Sequence, residues 1–300
     1  MRAARFNSFG GPEVLEIVRV PDPHPGPQQI RIAVRAAGVS STDAKMRSGA
    51  LGGDLPQTTG RDVAGVVEAL GEGVRSVAIG DRVFGSSDDG AGAAELALVT
   101  HFAPIPRELG FVDAAALPST LETATRALDA LSVGAGTVLL VNGASGAIGG
   151  AVVQLAVARG MRVIGTAGPA NQGHVRSLGA EAIVYGDGLV DRVRALAPNG
   201  VDAALDVAGN GVLAELVELA SGRAHVVTIA DFVGAKEHGV HFSKGEDGRA
   251  FHAYAEIAPL IAAGRFWLPV GRTFRLDDIA DAHRAVEAGD VRGKIVLLVG

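Results

Sequence analysis

The feature that most constrains the fold is a glycine-rich turn between a buried strand and a helix. The apolar run Thr137–Val141 predicts the strand, and Gly146–Arg159 predicts a helix with one apolar face. Glycines recur between and within these elements at Gly143, Gly146 and Gly149. Such a turn presents backbone amides and the positive end of a helix dipole to a phosphate. The pattern therefore predicts a dinucleotide site, and its strand–helix context disfavours the alternative of a turn without a ligand.

Strands and helices alternate around this turn. A helix over Asp113–Leu131, which Pro118 kinks or restarts, leads into the pattern. The predicted elements after the glycine-loop helix are the strand Arg162–Thr166, the helix Gln172–Leu178, the strand Ala182–Tyr185, the helix Leu189–Ala197, the strand Ala203–Val207, the helix Val212–Leu219 and the strand Ala224–Ile229. This alternation predicts right-handed crossovers and a parallel sheet that helices cover on both faces.

The first hundred residues predict a different, β-rich unit. Short strands are predicted over Gln29–Ala37, Val63–Ala69 and Asp81–Gly85, with glycine turns around them. Many short strands with frequent turns indicate a compact barrel-like unit. The C-terminal segment is predicted to return to this unit through Phe274–Leu276, the helix Ile279–Glu287 and the strand Lys294–Val299.

The composition excludes several kinds of protein. The 300 residues include no cysteine, which rules out disulfides, thiolate zinc ligands and a cysteine nucleophile. The net charge is −6 and the basic residues are scattered, so no nucleic-acid footprint is present. The N-terminus lacks the apolar core of a signal peptide, and no apolar run reaches the roughly 18 residues of a membrane span. We expect a soluble, cytoplasmic protein without nucleic-acid or membrane partners.

The end of the predicted strand Arg162–Thr166, the first strand after the glycine loop, indicates which dinucleotide is bound. NAD sites carry an acid about 20 residues beyond the loop, which binds the ribose hydroxyls. The residues in this region are Thr166, Ala167, Gly168 and Asn171. The first acid is Glu181. The missing carboxylate favours NADPH over NADH, with Asn171 and Arg176 as the nearest donors to a 2′-phosphate.

Several segments together carry a resemblance to a known family. They are Phe9–Leu15, Ala37–Val39 with Asp43, Gly60 with Ala64–Glu68, Gly71–Val74, Gly80–Val83, Ser177–Ala180 and Gly293–Leu297. With the glycine loop, they make the chain resemble the zinc-independent quinone oxidoreductases of the medium-chain dehydrogenase/reductase superfamily from residue 1 to residue 300. The resemblance implies an α/β protein. A GroES-like, β-barrel-type catalytic domain would occupy 1–113 and 268–300, and a Rossmann domain with a doubly wound parallel sheet 114–267. It also implies an active site between the domains and a homodimer.

Departures from relatives bear on zinc and on the substrate. Zinc alcohol dehydrogenases carry Cys where this chain has Ser40 and His-Glu at Arg61-Asp62, and neither Ser40 nor Arg61 suits zinc. The cysteine-rich zinc lobe is missing around Phe84–Glu95. We therefore predict no bound metal. Quinone reductases often carry Asn where Ser40 stands and Tyr near Leu51, so contacts to nicotinamide and substrate differ here.

The candidate catalytic residues follow the predicted strand Gln29–Ala37, and they are Ser40, Thr42 and Asp43. Thr42 stands where zinc alcohol dehydrogenases have a hydroxyl that passes a proton. The resemblance thus implies a hydrogen bond to a substrate oxygen, and a helix-cap hydroxyl is the alternative. Asp43 either orients active-site groups or caps the following helix.

The candidate cofactor-binding residues lie in the glycine loop and at the ends of the parallel strands. They are Thr123, Gly143, Ala144, Ser145, Gly146, Ala147, Ile148, Gly149, Thr166, Ala167, Gly168, Asn171, Arg176, Tyr185, Ala208, Ile229, Ala230 and Lys294. Thr123 matches a threonine near the nicotinamide in the family, or it bonds to its own helix backbone. Lys294 has two possible interpretations: its side chain reaches the cleft, or it is a solvated surface lysine. Asp206, at a strand end, lines the cleft or forms a turn.

The predicted activity is NADPH-dependent transfer of a hydride to a quinone or another conjugated carbonyl. The cofactor supplies the hydride, and the protein contributes binding and orientation. Such an acceptor delocalises its negative charge, so solvent suffices as proton source. Two alternatives stay open: an enoyl or enone reductase of a biosynthetic pathway, and a non-catalytic NADPH-binding protein that acts as a redox sensor or interaction subunit.

Overall fold

The computed structural model describes residues 1–220 and 222–300. Strands β1 to β15 span, in chain order, Arg2–Phe6, Glu16–Arg19, Ile30–Val39, Gln57–Thr58, Asp62–Leu70, Arg82–Ser87, Leu96–Pro104, Val138–Asn142, Arg162–Ala167, Glu181–Val184, Ala203–Asp206, Val226–Thr228, His241–Phe242, Val270–Arg275 and Lys294–Leu298. Helices α1 to α11 span Ser41–Arg47, Phe111–Ala115, Pro118–Ala130, Ala147–Ala158, Gln172–Ser177, Leu189–Leu196, Leu213–Leu219, Phe232–His238, Ala253–Glu256, Ala258–Ala262 and Ile279–Ala288.

The chain divides into two units. Unit 1 comprises Met1–Ser119, Tyr254–Ala262 and Leu268–Gly300, and unit 2 comprises Thr120–Ala253 and Ala263–Trp267. The predicted domain ranges differ from these units at 114–119 and at 254–262, and the assignment of a role to each domain stays a prediction. Across the described residues, none of the helices combines the length and apolar character that crossing a bilayer requires.

Unit 1 contains the barrel that the N-terminal pattern predicts. Its larger sheet has the order β14-β15-β3-β5-β6-β7, and an additional pairing of β3 with β7 closes four of these strands into a ring. Along β3, Ile30, Ile32 and Val34 are buried while the residues between them are less so, and burial is continuous over Ala36–Val39. There α2 packs against β3, and a Cβ on Gly38 would lie 2.8 Å from the carbonyl oxygen of Ala115.

Unit 2 contains the predicted parallel sheet, in the order β10-β9-β8-β11-β12-β13. Each described pairing in it is parallel, and the strand order reverses between β8 and β11. This is the doubly wound arrangement, in which ligands bind beyond the carboxyl ends of the strands at the reversal point. The helix before the sheet restarts at Pro118, as predicted. The sequence analysis missed α8 and β13, because β13 has two residues and α8 exposes Phe232 and Val233.

A buried histidine, His283, lies on helix α11 of unit 1, close to Arg47 of α1. His283 is fully buried, and both of its ring nitrogens lack a hydrogen-bond partner in the described part of the chain. Arg47, also buried, donates to the Glu287 carboxylate. Burial lowers the pKa of His283 to about 4, and the charge of Arg47 contributes to the decrease. The folded state therefore holds His283 neutral in mildly acidic solution.

We expect unit 1 to lose stability as the pH falls from about 6.5 towards 4, the ordinary and folded pKa values of His283. In that window the unfolded chain binds a proton that the folded chain excludes. The loss approaches about 3 kcal/mol, from about 1.4 kcal/mol per pKa unit. Urea titrations at several pH values measure it. His283→Leu should flatten this dependence, and His241→Gln, at an exposed position, should retain it. If the unfolding free energy of His283→Leu fell with decreasing pH as steeply as that of the natural chain, His283 would not be the group responsible.

Candidate functional site

A chain of buried hydrogen bonds joins the carboxyl ends of four neighbouring strands of unit 2. Thr166 on β9 donates from Oγ1 to Asn142 Oδ1 on β8 at 2.7 Å. Asn142 Nδ2 donates to Asp206 Oδ1 on β11 at 2.9 Å, and Thr228 Oγ1 on β12 donates to Asp206 Oδ2 at 2.8 Å. All four side chains are buried. This network, from Thr166 to Thr228, spans the point where the strand order reverses.

The same side chains hold the loops that leave the strands. Thr166 Oγ1 accepts a hydrogen bond from one loop amide. Asp206 Oδ1 and Thr228 Oγ1 each accept hydrogen bonds from two loop amides, and all five bonds measure 2.9–3.1 Å. The amides are those of Gly143, Ala208, Gly209, Ala230 and Asp231. Of the two roles predicted for Asp206, lining the cleft or forming a turn, the structure therefore supports the second. It is fully buried and does not itself line a surface.

The three glycines of the loop have different roles. Gly143 has φ +88°, and a Cβ there would lie 2.9 Å from that of Ala208. A Cβ on Gly149 would lie 2.1 Å from the carbonyl oxygen of Gly143. Gly146 is exposed, and its nearest neighbour would be 3.8 Å away. The protein's own packing thus requires Gly143 and Gly149, whereas Gly146 is open to a ligand.

The start of α4 fits an anionic group. Gly146 precedes the helix and supplies no side-chain cap to its first amides. Uncapped amides at the start of a helix, together with its dipole, favour a phosphate. Ala144 is fully buried against the end of β9, where a Cβ on Gly165 would lie 2.8 Å from that of Ala144. Ser145, Ala147 and Ile148 are half-buried around the same turn.

The predicted adenosine end is only partly accessible. Thr166 and Ala167 are buried, and the Thr166 hydroxyl bonds within the protein, so the accessible member of this group is Gly168. A Cβ on Gly168 would lie 3.6 Å from the Tyr185 ring, which is 51% exposed. Arg176 is exposed in the last turn of α5, and Asn171 precedes that helix. Binding by these residues stays a prediction.

Sequence reasoning missed the residues that support this edge. Gln172 Nε2 donates to the carbonyls of Ala167 and Ile183, which ties β9 to β10. Arg192 donates to the carbonyls of the turn that carries Tyr185. Polar residues at the ends of apolar strands, such as Asn142, were the available signal, because a buried polar side chain needs partners.

The candidate catalytic residues lie at the start of α1 in unit 1. Asp43 Oδ2 accepts hydrogen bonds from Ser40 N at 2.8 Å and Ser40 Oγ at 2.7 Å. Its Oδ1 accepts from Gly60 N at 3.1 Å and Thr59 Oγ1 at 3.4 Å. Ser40 is the N-cap residue of α1, and Asp43 completes a capping box with it, which agrees with the capping role among the two predicted alternatives. Thr42 is half-buried in the first turn.

Charges around Asp43 affect its protonation. Burial raises the pKa of Asp43, and the Asp62 carboxylate raises it further, while hydrogen bonds from Ser40 and the charge of Lys294 oppose the increase. Lys294 Nζ lies 3.1 Å from Asp62 Oδ2. Asp62 Oδ1 also accepts hydrogen bonds from the amide and hydroxyl of Ser119. Because Lys294 is 8% exposed and paired, the interpretation as a solvated lysine is wrong. Its contact with a cofactor stays a prediction.

The residues at positions 40 and 61, where zinc alcohol dehydrogenases have their ligands, do not suit zinc. Ser40 binds Asp43 through its hydroxyl, and position 61 carries an arginine. Zinc sites are built from thiolate, imidazole and carboxylate ligands. Within 1–220 and 222–300, no group of three or more such side chains lies together. Absence of zinc remains a prediction of the sequence.

Comparisons with known proteins bear out the family. The alcohol dehydrogenase GroES-like domain matches residues 26–110, and the zinc-binding dehydrogenase domain matches residues 178–297. A quinone oxidoreductase of Homo sapiens is 34% identical over 327 residues, which cover 100% of this chain and 98% of that protein. The chain belongs to the quinone oxidoreductases of the medium-chain dehydrogenase/reductase superfamily. It is an oxidoreductase by membership, with the predicted GroES-like and Rossmann folds.

Solved structures agree with this membership. The quinone oxidoreductase from Coxiella burnetii has a TM-score of 0.85 at 29% identity, covering 100% of this chain and 99% of that one. A mycobacterial protein complexed with NADPH has a TM-score of 0.84 at 28% identity, covering 99% and 100%. The zinc-binding match in this oxidoreductase starts at residue 178, so it does not include positions 40 and 61.

Substitutions in the loop should separate ligand binding from packing. Gly146→Val adds a side chain in open space, so we expect an unchanged melting temperature without cofactor and no measurable binding of NADPH by calorimetry. Gly149→Ala should instead lower the melting temperature, because its Cβ would lie 2.1 Å from a carbonyl oxygen. Unchanged NADPH affinity in Gly146→Val would remove the loop from the binding site.

Loss of the buried cation should destabilise unit 1. Lys294→Met leaves Asp62 as a buried carboxylate without its partner, which costs about 3–5 kcal/mol. Denaturant titration without cofactor measures this loss. Asp62→Asn combined with Lys294→Met should recover part of it, because neither charge remains. The exposed Lys236→Met serves as control and should change stability by less than about 0.5 kcal/mol. An equally small effect of Lys294→Met would refute a structural role.

Proposed function

We propose that the chain is an NADPH-dependent oxidoreductase that transfers a hydride to a quinone or another small conjugated carbonyl. One observation carries the proposal. The open Gly146 and the uncapped start of α4 lie where the sheet order reverses, on a loop whose Gly143 amide donates to Thr166, which in turn donates to Asn142. Family membership supplies the reaction class, since the human relative is a quinone oxidoreductase.

The residues at the end of β9 suit NADPH better than NADH. No carboxylate follows Thr166 at the end of β9, where an NAD site would hold the ribose hydroxyls. The next acid, Glu181, pairs with Arg162 at 2.6 Å, at the amino ends of β9 and β10. The residues that directly follow β9 therefore carry no carboxylate that would repel a 2′-phosphate. The mycobacterial structural relative is complexed with NADPH, which agrees with this choice.

Each part of the site has a role in this reaction. Bound NADPH supplies the hydride. The amides at Gly146 and the start of α4 hold its pyrophosphate, and Gly168 and Tyr185 contact its adenosine half. Ser40 and Thr42 supply hydroxyls for the substrate oxygen. The protein acts mainly by orientation, which suits an acceptor that spreads its developing charge over a conjugated system.

Zinc independence, a cytoplasmic location and a homodimer belong to the proposal. The chain has no cysteine, which suits a reducing compartment, and Ser40 and Arg61 stand where zinc alcohol dehydrogenases have ligands. The homodimer rests on the family resemblance alone. Activity that survives a zinc chelator would support the metal-free reaction, and loss of activity with release of stoichiometric zinc would refute it.

Steady-state oxidation of NADPH with a panel of quinones and enones tests the proposal. We expect turnover with both classes and a kcat/KM for NADPH roughly ten- to a hundred-fold above that for NADH, since one charge-assisted hydrogen bond contributes about 1.5–3 kcal/mol. Preference for NADH would overturn the cofactor assignment. Tight NADPH binding without turnover would favour the non-catalytic alternative, and turnover restricted to enones would favour the enone reductase.

A further inference from the structure

We propose that Ser40 and Asp43 form a proton relay, in which Asp43 supplies the proton and the Ser40 hydroxyl delivers it to the oxygen of the reduced acceptor. The inference rests on the proposed function, because hydride transfer to a conjugated carbonyl leaves a negative oxygen that must gain a proton. The two side chains are joined by a hydrogen bond of 2.7 Å between Ser40 Oγ and Asp43 Oδ2.

The geometry allows this bond to run in either direction. The amides of Ser40 and Gly60 hold Asp43 in place, and an amide can only donate, so they fix the carboxyl group in both protonation states. The Ser40 hydroxyl can donate or accept. It donates when Asp43 is ionised. When Asp43 is protonated, the carboxylic acid donates to Ser40 Oγ, and the hydroxyl hydrogen of Ser40 is released for another acceptor.

Burial makes Ser40 the route for the proton. Asp43 is 2% exposed and Thr59, its other hydroxyl partner, is 1% exposed, so neither exchanges directly with solvent or with a substrate. Ser40 is half-buried at the start of α1. A proton that leaves Asp43 for the surface therefore passes through the Ser40 hydroxyl.

Burial favours a protonated Asp43, and one of the two charged groups around it adds to this effect. Asp62 on β5 and Lys294 on β15 are the charged groups that act on it, and Lys294 pairs with Asp62 at 3.1 Å. Desolvation and the Asp62 carboxylate raise the pKa of Asp43, whereas the Ser40 hydrogen bonds and Lys294 only oppose this. The carboxyl group consequently holds its proton at a higher pH than an ordinary aspartate does.

The step balances. The acceptor gains a hydride and becomes an anion, the Ser40 O–H bond breaks as its proton joins the acceptor oxygen, and the Asp43 O–H bond breaks as its proton joins Ser40 Oγ. Asp43 is left as a carboxylate. After the product departs, a proton from water returns through Ser40. The sum is NADPH, a proton and the acceptor giving NADP⁺ and the reduced acceptor.

Two acceptors that differ in their need for a proton test the relay. An enone gives a strongly basic enolate, whereas a chlorinated benzoquinone gives a weakly basic anion. In Ser40→Ala we expect kcat to fall about 10²- to 10⁴-fold with the enone, the usual contribution of general acid catalysis, and less than about tenfold with the quinone. The solvent deuterium isotope effect on enone reduction should also disappear.

Further variants distinguish the relay from simple positioning. Ser40→Asn keeps a hydrogen-bond donor but cannot pass a proton on, so it should not rescue Ser40→Ala. Asp43→Asn keeps one carbonyl oxygen, which can accept from the amide of Ser40 or from that of Gly60 but not from both, so its melting temperature is measured first. It should show the same enone-selective loss, and the fall of kcat at the higher pH where Asp43 loses its proton should disappear. Ser48→Ala, whose hydroxyl bonds to the Lys45 carbonyl at the other end of α1, is the matched control.

The outcomes separate the relay from the proposed function. If the natural chain turns over neither acceptor, both proposals fail. If it turns over both, equal losses with enone and quinone in Ser40→Ala, or full rescue by Ser40→Asn, would overturn the relay and leave the proposed function standing. Infrared spectra of the natural chain provide a readout independent of activity. A protonated carboxyl band that disappears in Asp43→Asn supports the relay, and its absence throughout the pH range of activity would refute it.

Discussion

The structure of unit 2 depends on one buried carboxylate. Asp206 accepts four hydrogen bonds, from Asn142, Thr228 and the amides of Ala208 and Gly209. An ionised carboxylate without such partners would be costly to bury, so the surrounding groups are held in the positions that satisfy it. Asn142 in turn accepts a hydrogen bond from the Thr166 hydroxyl, which accepts one from the amide of Gly143. The buried network therefore holds the first residue of the glycine loop in position.

The barrel-containing unit uses buried acids in a similar way. Asp43 holds the start of α1 to the turn at Gly60, and Asp62 joins β5 to Lys294 on β15 and to Ser119. The two acids differ in their partners. Asp62 has a cation and Asp43 has hydroxyls and amides, so the proposed relay assigns the transferred proton to Asp43. A structural cap and a proton donor are therefore compatible roles for the same side chain.

Several parts of the fold could be predicted because their signal is local. The apolar strand before the glycine loop, the restart of a helix at Pro118 and the parallel sheet all follow from patterns within about 15 residues. The pattern failed for α8 and β13, where a helix with exposed Phe232 and a two-residue strand carry no periodicity. His283 also escaped notice, since a histidine in a helix gives no sign of whether its ring is buried.

The sequence by itself determined the alternation of strands and helices around the glycine loop, the glycine spacing and the missing acid after β9, because each is set by neighbouring residues and the backbone conformation they prefer. Only the tertiary structure decided that Thr166 bonds inward, that Lys294 pairs with Asp62, and that Gly146 alone of the three loop glycines is open. The first two outcomes depend on partners from 23 to 232 residues away along the chain, which no local pattern contains. Burial of a polar group forces such pairings, and burial exists only once the distant strands have packed together.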